Sequence, residues 1–226
     1  MTMETGLCEP WMGSVAPVTR SQAQRIKAMQ TAARELATKR PWPRRERLSG
    51  IHNPWGHASV LTDAWCFLDL CEDSGILDGV EALIGKDIVL WDTELHLDPD
   101  DYRRFVEEGR EGRYWPVMPR VGVVVLIAPE ASQPVTCVAL EAIAADLPAL
   151  HASGPLFVIR YMPGSSSFLR DGRALSNWVA MEEQPLVNYA TRPLWMVRGE
   201  DRAGNDFVTG FSPTVPRWAG IQPEEH

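Results

Sequence analysis

Gly154-Pro-Leu-Phe-Val-Ile-Arg-Tyr-Met-Pro-Gly-Ser-Ser-Ser-Phe168 is a strand running into a tight turn. Phe157, Val158, Ile159 and Tyr161 have the β-branched and aromatic character of a buried strand. Pro163-Gly164 then supplies one fixed and one permissive φ, and small hydroxyl residues follow. Upstream and downstream, further short β-like runs cover 88–91, 121–128, 135–140, 194–198 and 206–211. Pro99, Gly109, Gly112, Pro119, Pro129, Gly199 and Gly204 punctuate them. Many short strands with Pro and Gly between them suggest a sandwich or barrel.

Ahead of these strands the pattern is helical. Ile26, Met29, Ala33 and Leu36 recur at three- and four-residue steps and predict a helix from Thr19 or Ser21 to about Lys39, stopped by Pro41 and Pro43. Further helices are predicted over 61–70 and 76–84, the second capped by Asp73 or Ser74 and ended by Gly85. Asp98 or Asp100 opens a short helix to Glu108, and 141–147 reads as another.

Composition narrows the function. The 226 residues carry a net charge of −8, so nothing global favours nucleic acid or an anionic membrane. Apolar residues make 45% and charged residues 23%, ordinary for a globular chain, and eighteen Pro argue against a helical bundle. Lys39, Arg40, Arg44, Arg45 and Arg47 form a local basic patch, read as a solvated linker or a contact to the acidic remainder of the chain, with an interaction segment as the alternative. Cys8, Cys66, Cys71 and Cys137 are scattered, which predicts reduced thiols and no zinc site. No stretch has the length and apolarity of a membrane span, Met1–Gly6 lacks a secretory signal's features, and a cytoplasmic location is expected. Dinucleotide, P-loop and serine-hydrolase signatures are absent.

Two stretches carry a family resemblance. Gly154-Pro-Leu leading into Pro163-Gly-Ser-Ser166 resembles the strand and Pro-Gly-Ser-His turn of the phytanoyl-CoA dioxygenase family, with Ser166 where that family has His. Ile76–Trp91, with its Gly85-Lys-Asp87 turn, resembles the family's helix, Gly-x-Asp turn and first barrel strand. The resemblance implies a mainly β fold with flanking α-helices: a double-stranded β-helix (jelly roll, cupin-like). It would divide the chain into a helical or irregular preface at 1–86, a jelly-roll core at 87–212 and an irregular tail at 213–226. It also implies Fe(II), 2-oxoglutarate and a small or acyl substrate to be hydroxylated; the oligomeric state is left open.

Such chemistry needs two His and one carboxylate on one face of an iron. His96-Leu-Asp98 is the only His-x-Asp or His-x-Glu in the chain, and His151 is the one later internal His. Together they form a candidate triad, with Arg160 as a bidentate partner for the co-substrate carboxylate. Aligning the family's motifs gives a different answer. Tyr114-Trp115 resembles the aromatic pair after the family's His-x-Asp, whose position then falls on Gly109-Arg110-Glu111: the carboxylate stays and the His is lost. Asn188-Tyr-Ala-Thr-Arg192 resembles the segment holding the co-substrate arginine, making Arg192 the anchor, while the second His position falls near Glu182-Glu183-Gln184. A non-catalytic binding or assembly protein that has lost its iron site is therefore the alternative. His52 and His57 are a further loop pair, and 192–211 reads as a hairpin.

Overall fold

The computed structural model describes residues 12–13, 17–38, 47–143, 154–183 and 191–207. The helices expected over 19–39 and 76–84 form, the one expected over 61–70 is confined to 65–71, and helices at 110–114 and 175–183 are additional. In α1 (Arg20–Thr38) the buried stripe is Ile26, Met29, Ala33 and Leu36. Thr19 and Gln22 cap its start reciprocally: the Gln22 amide donates to Thr19 Oγ1 (3.2 Å) and the Thr19 amide to Gln22 Oε1 (3.3 Å). Two helices follow, α2 (Trp65–Cys71) and α3 (Ser74–Ile84). Asp73 caps α3 and also accepts from Gln22 Nε2 and Arg25 Nη1, each at 2.7 Å, so one carboxylate ties α1 to the α2–α3 corner.

The strands are β1 (Met12–Gly13), β2 (Arg47–Ser49), β3 (Ile88–His96), β4 (Val117–Met118), β5 (Val123–Ile127), β6 (Val135–Ala139), β7 (Leu156–Pro163), β8 (Ser167–Phe168) and β9 (Trp195–Arg198). Seven of them make one antiparallel sheet in the order β1-β6-β5-β7-β3-β2, with β9 also on β3. The other two, β4 and β8, form a separate pair. Between β3 and β4 lie α4 (Pro99–Glu107) and α5 (Arg110–Tyr114); α6 (Leu175–Glu183) precedes β9.

The jelly roll is thereby corrected. Among the described residues no sheet closes into a barrel, and helical residues outnumber strand residues. A jelly roll stacks two sheets face to face; here the long strands pair edge to edge and helices cover both faces. One core unites α1–α3 with Ile88, Leu90, Leu95, Val125, Phe157 and Ile159. The other unites α4, α5 and α6 with Val89, Trp91, Val124, Leu126, Leu156 and Val158. The unbroken burial of β3, β5, β6 and β7 is the mark of a sheet covered twice.

Two irregularities in β3 build the site. The register with β7 slips at Trp91, so Leu90 faces Tyr161 and Asp92 faces Arg160. This bulge leaves Trp91 and Asp92 on one face. Asp92, Glu94 and His96 then line the α4–α5 face by period-two alternation, while Leu95 returns to the α1–α3 core. The outer edge of β3 is also divided. β2 pairs with Glu94–His96 and β9 with Ile88–Leu90, leaving a notch at Trp91–Thr93 that is closed partly by Gly50 N donating to Thr93 O (2.7 Å).

Candidate functional site

Three carboxylates and three guanidiniums meet on the α4–α5 face of the sheet. Arg160, in the middle of β7 and wholly buried, is the hub. Its Nε and Nη2 donate to Glu111 Oε1 and Oε2, both at 2.7 Å, in a two-point fork. Nη2 also donates to Glu94 Oε2 (2.8 Å) and Nη1 to Asp92 Oδ2 (3.0 Å). Four of the five guanidinium N–H donors thus meet carboxylates of the same chain. Arg47 donates to Glu94 Oε1 from Nε (2.9 Å) and Nη2 (2.6 Å) and lies over the Phe105 ring, 4.5 Å from its centroid. Arg192 reaches Asp92 Oδ1 through the notch and donates to Ser49 Oγ (2.6 Å). Tyr114 shares its single O–H proton between Asp92 and Glu94, each 3.0 Å away, and Trp115 Nε1 donates to Glu111 at 3.0 Å.

The formal charges of Arg47, Arg160 and Arg192 cancel those of Asp92, Glu94 and Glu111. Balance of this kind is what lets ions sit in a core, since each uncompensated buried ion costs several kcal/mol (roughly). The two strand carboxylates nevertheless differ. Burial opposes ionisation of Glu94, but Arg160 and Arg47 outweigh it and hold its carboxyl well below the usual range. At Asp92 burial prevails and, with Glu94 adding to it, raises the carboxyl above its ordinary value against the pull of Arg192. Burial also works against the Arg160 cation, and Glu111 and Glu94 more than restore it. Burial, then Asp92 and Glu94, push the Tyr114 phenol up, so it remains a donor.

The sequence-predicted residues divide into groups. His96 is fully buried beside the cluster, with Nδ1 2.9 Å from Asp101 Oδ2 and Nε2 3.5 Å from Glu94 Oε2, where Nε2 has no hydrogen-bond partner. Asp98 accepts from the Asp100 amide (2.9 Å) as the N-cap of α4. His151 lies outside the described residues, as do 39–46, 144–153, 184–190 and 208–226. Arg160 and Arg192, alternative anchors in the sequence, belong to one cluster and share Asp92. His52 is buried by the notch, its Nδ1 2.7 Å from Thr93 Oγ1 and its ring edge-on to Trp195. Burial and then Arg192 push it down to about 3. The side chain of His57 lies outside the described set. Of the two readings of the basic patch, Arg47 follows the contact to the acidic remainder of the chain: it is buried and paired with Glu94.

Sequence reasoning missed Asp92 and Glu94 because it ended the strand at Trp91. The signal was present: Asp92, Glu94 and His96 stand at steps of two beside apolar Leu90 and Leu95. Glu111 surfaced only through the family alignment, and Tyr114 only as an aromatic marker.

The described donors do not by themselves make a facial iron centre, and His151 lies outside the described residues. Among the described residues no group of three His, Cys, Asp or Glu side chains is arranged to hold a metal. The carboxylates that do converge enclose a guanidinium, whose positive charge opposes a second cation there.

The chain matches no family model and no curated protein. Among solved structures it is distantly similar to a non-heme monooxygenase, ThoJ, in its apo form, at 14% identity over 68% of this chain and 74% of that chain with a TM-score of 0.39. It is similar also to the ThoJ–nickel complex, at 14% identity over 85% of this chain and 81% of that one with a TM-score of 0.42. Neither similarity places the chain in the phytanoyl-CoA dioxygenase family. At these scores no chemistry is drawn from them. No described helix is long and apolar enough to cross a membrane.

Proposed function

We infer that this chain is a non-catalytic binding or assembly protein in which an internal guanidinium stands where an iron oxygenase would place its metal. One observation carries the reading: Arg160 donates a two-point bond to Glu111, the carboxylate that the family resemblance aligns with the metal-binding His-x-Asp. Arg192, aligned with the co-substrate anchor, supports it by turning onto Asp92 and Ser49 of its own chain. Both ligand-facing positions are thus spent on internal ion pairs.

The second reading keeps the enzyme: a 2-oxoglutarate-dependent iron oxygenase acting on a small or acyl substrate, with His96, Asp98 and His151 as ligands. The buried, unpartnered Nε2 of His96 favours it. In that case the residues would hold Fe(II), which supplies oxygen activation when bound.

Anaerobic addition of Fe(II) and 2-oxoglutarate to purified protein separates the two. The binding reading expects a flat visible spectrum, no retained iron after desalting and no 2-oxoglutarate consumption in air. A charge-transfer band in wild type that disappears in His96→Ala would establish the oxygenase and overturn it.

A further inference from the structure

We propose that Asp92, Glu94 and Glu111 form a discrete planar-cation site whose resident ligand is the Arg160 side chain, so that the chain lacking this side chain takes up a free guanidinium ion in its place. The inference deepens the binding reading, resting on it only in treating the guanidinium as the occupant of the metal position.

The geometry is that of a receptor site. The acceptors come from two elements other than the one carrying the cation: β3 supplies Asp92 and Glu94, and α5 supplies Glu111. Glu111 presents both oxygens to one edge of the guanidinium at 2.7 Å, and Glu94 and Asp92 receive the other N–H groups at 2.8 and 3.0 Å. The Tyr114 ring lies 4.5 Å from the guanidinium carbon, adding a π face to the ring of acceptors. Each carboxylate is fixed by a donor independent of Arg160. Trp115 Nε1 holds Glu111, Arg47 and Tyr114 hold Glu94, and Arg192 and Tyr114 hold Asp92. Removing Arg160 therefore leaves the acceptors positioned rather than collapsed. His96 Nε2, fully buried and unpartnered 3.5 Å from Glu94 Oε2, is one more polar atom at the margin of the site.

Arg160 sits in β7 between Ile159 and Tyr161, whose backbones stay hydrogen-bonded to both neighbouring strands. Arg160→Ala is expected to empty the site while these backbone pairings remain available. Guanidinium and methylguanidinium match its planar donor pattern; tetramethylammonium carries the same charge without N–H groups.

The test is thermal unfolding of wild type and Arg160→Ala with millimolar methylguanidinium or tetramethylammonium chloride at equal ionic strength. Methylguanidinium at about ten times its dissociation constant is expected to raise the variant's Tm by about 3–6 °C. Tetramethylammonium should not, and wild type should respond to neither. If Arg160→Ala is unfolded alone, its refolding yield in the two salts is the readout, with a gain confined to methylguanidinium expected. Arg160→Ala combined with Glu111→Gln keeps the remaining charges balanced and should lose the response. Equal behaviour in the two salts, or an undiminished response in the double variant, overturns the proposal. Neither outcome bears on whether wild type binds Fe(II) and 2-oxoglutarate.

Discussion

Glu111 gives both its oxygens to Arg160, while the exposed Glu130 gives one to Arg34. The two ion pairs have similar lengths and opposite importance. Breaking a buried pair strands a charge and costs about 3–5 kcal/mol, whereas an exposed pair contributes about 0–1 kcal/mol. Glu111→Gln should therefore lower Tm by about 6–20 °C and Arg34→Ala by about 4 °C or less in the same unfolding scans. Within the cluster the shifts predict an order. Glu94 is stabilised as an anion and Asp92 is not, so Glu94→Gln should destabilise more at pH 7 than Asp92→Asn. The depressed Glu94 carboxyl contributes stability above its unfolded value of about 4.3, lost as pH falls through the folded one. His52 acts earlier. Held near 3 in the folded chain, it stays neutral while the unfolded chain binds a proton below about 6.5. Stability then falls with pH by up to about 1.4 kcal/mol per unit. Between pH 7 and 5, chemical denaturation of His52→Gln should show a shallower decline than wild type; identical slopes would assign the acid loss elsewhere.

At the scale of elements, the notch depends on β9 meeting β3 beside β2. Gly199 ends β9 at φ +75°, and a Cβ there would lie 2.3 Å from Asp87 Oδ1 and 2.7 Å from the Lys86 carbonyl. Asp87 in turn accepts from the Glu200 amide (3.0 Å) and Arg202 Nε (2.6 Å). Gly199→Ala should thus unseat β9 locally, with hydrogen exchange quickening at Met196–Arg198 while β5 and β7 stay protected. Gly122 is different: a Cβ would fall 2.1 Å from the Trp115 ring and 2.5 Å from the Tyr161 carbonyl. Gly122→Ala overpacks the centre, and a loss of about 2–3 kcal/mol in equilibrium denaturation is expected. Helices α1, α3 and α4 were legible because their causes are local. The stripe of α1 and the Asp73 and Asp98 caps lie in consecutive residues. The end of β3 was not, because its last polar residues are tolerated only by cations from β2, β7 and the segment before β9.

Over the whole molecule, one sheet serves two cores, and the strands that close one core also close the other. Phe157 packs edge-on to Phe67 of α2, with ring centroids 5.2 Å apart, while its neighbours Leu156 and Val158 face the opposite core. Phe157→Ala is expected to cost about 3–5 kcal/mol. The near-ultraviolet signal of Trp91 and Trp115, on the far face, should melt together with the far-ultraviolet signal in one transition. Two separated transitions would show that the faces unfold independently.

By itself the sequence determined the punctuating turns, the helices α1, α3 and α4 and the apolar centres of β3, β5, β6 and β7. Those properties follow from φ preferences, periodicity and short-range caps, which act within a few residues. Only the tertiary structure decided that the strands share one open sheet and that Arg47, Arg160 and Arg192 neutralise Asp92, Glu94 and Glu111. An apolar strand reads the same whether a sheet or a helix covers it. A buried charge finds its counterion across 47 to 100 positions of chain, a distance over which sequence pattern carries no Coulomb energy.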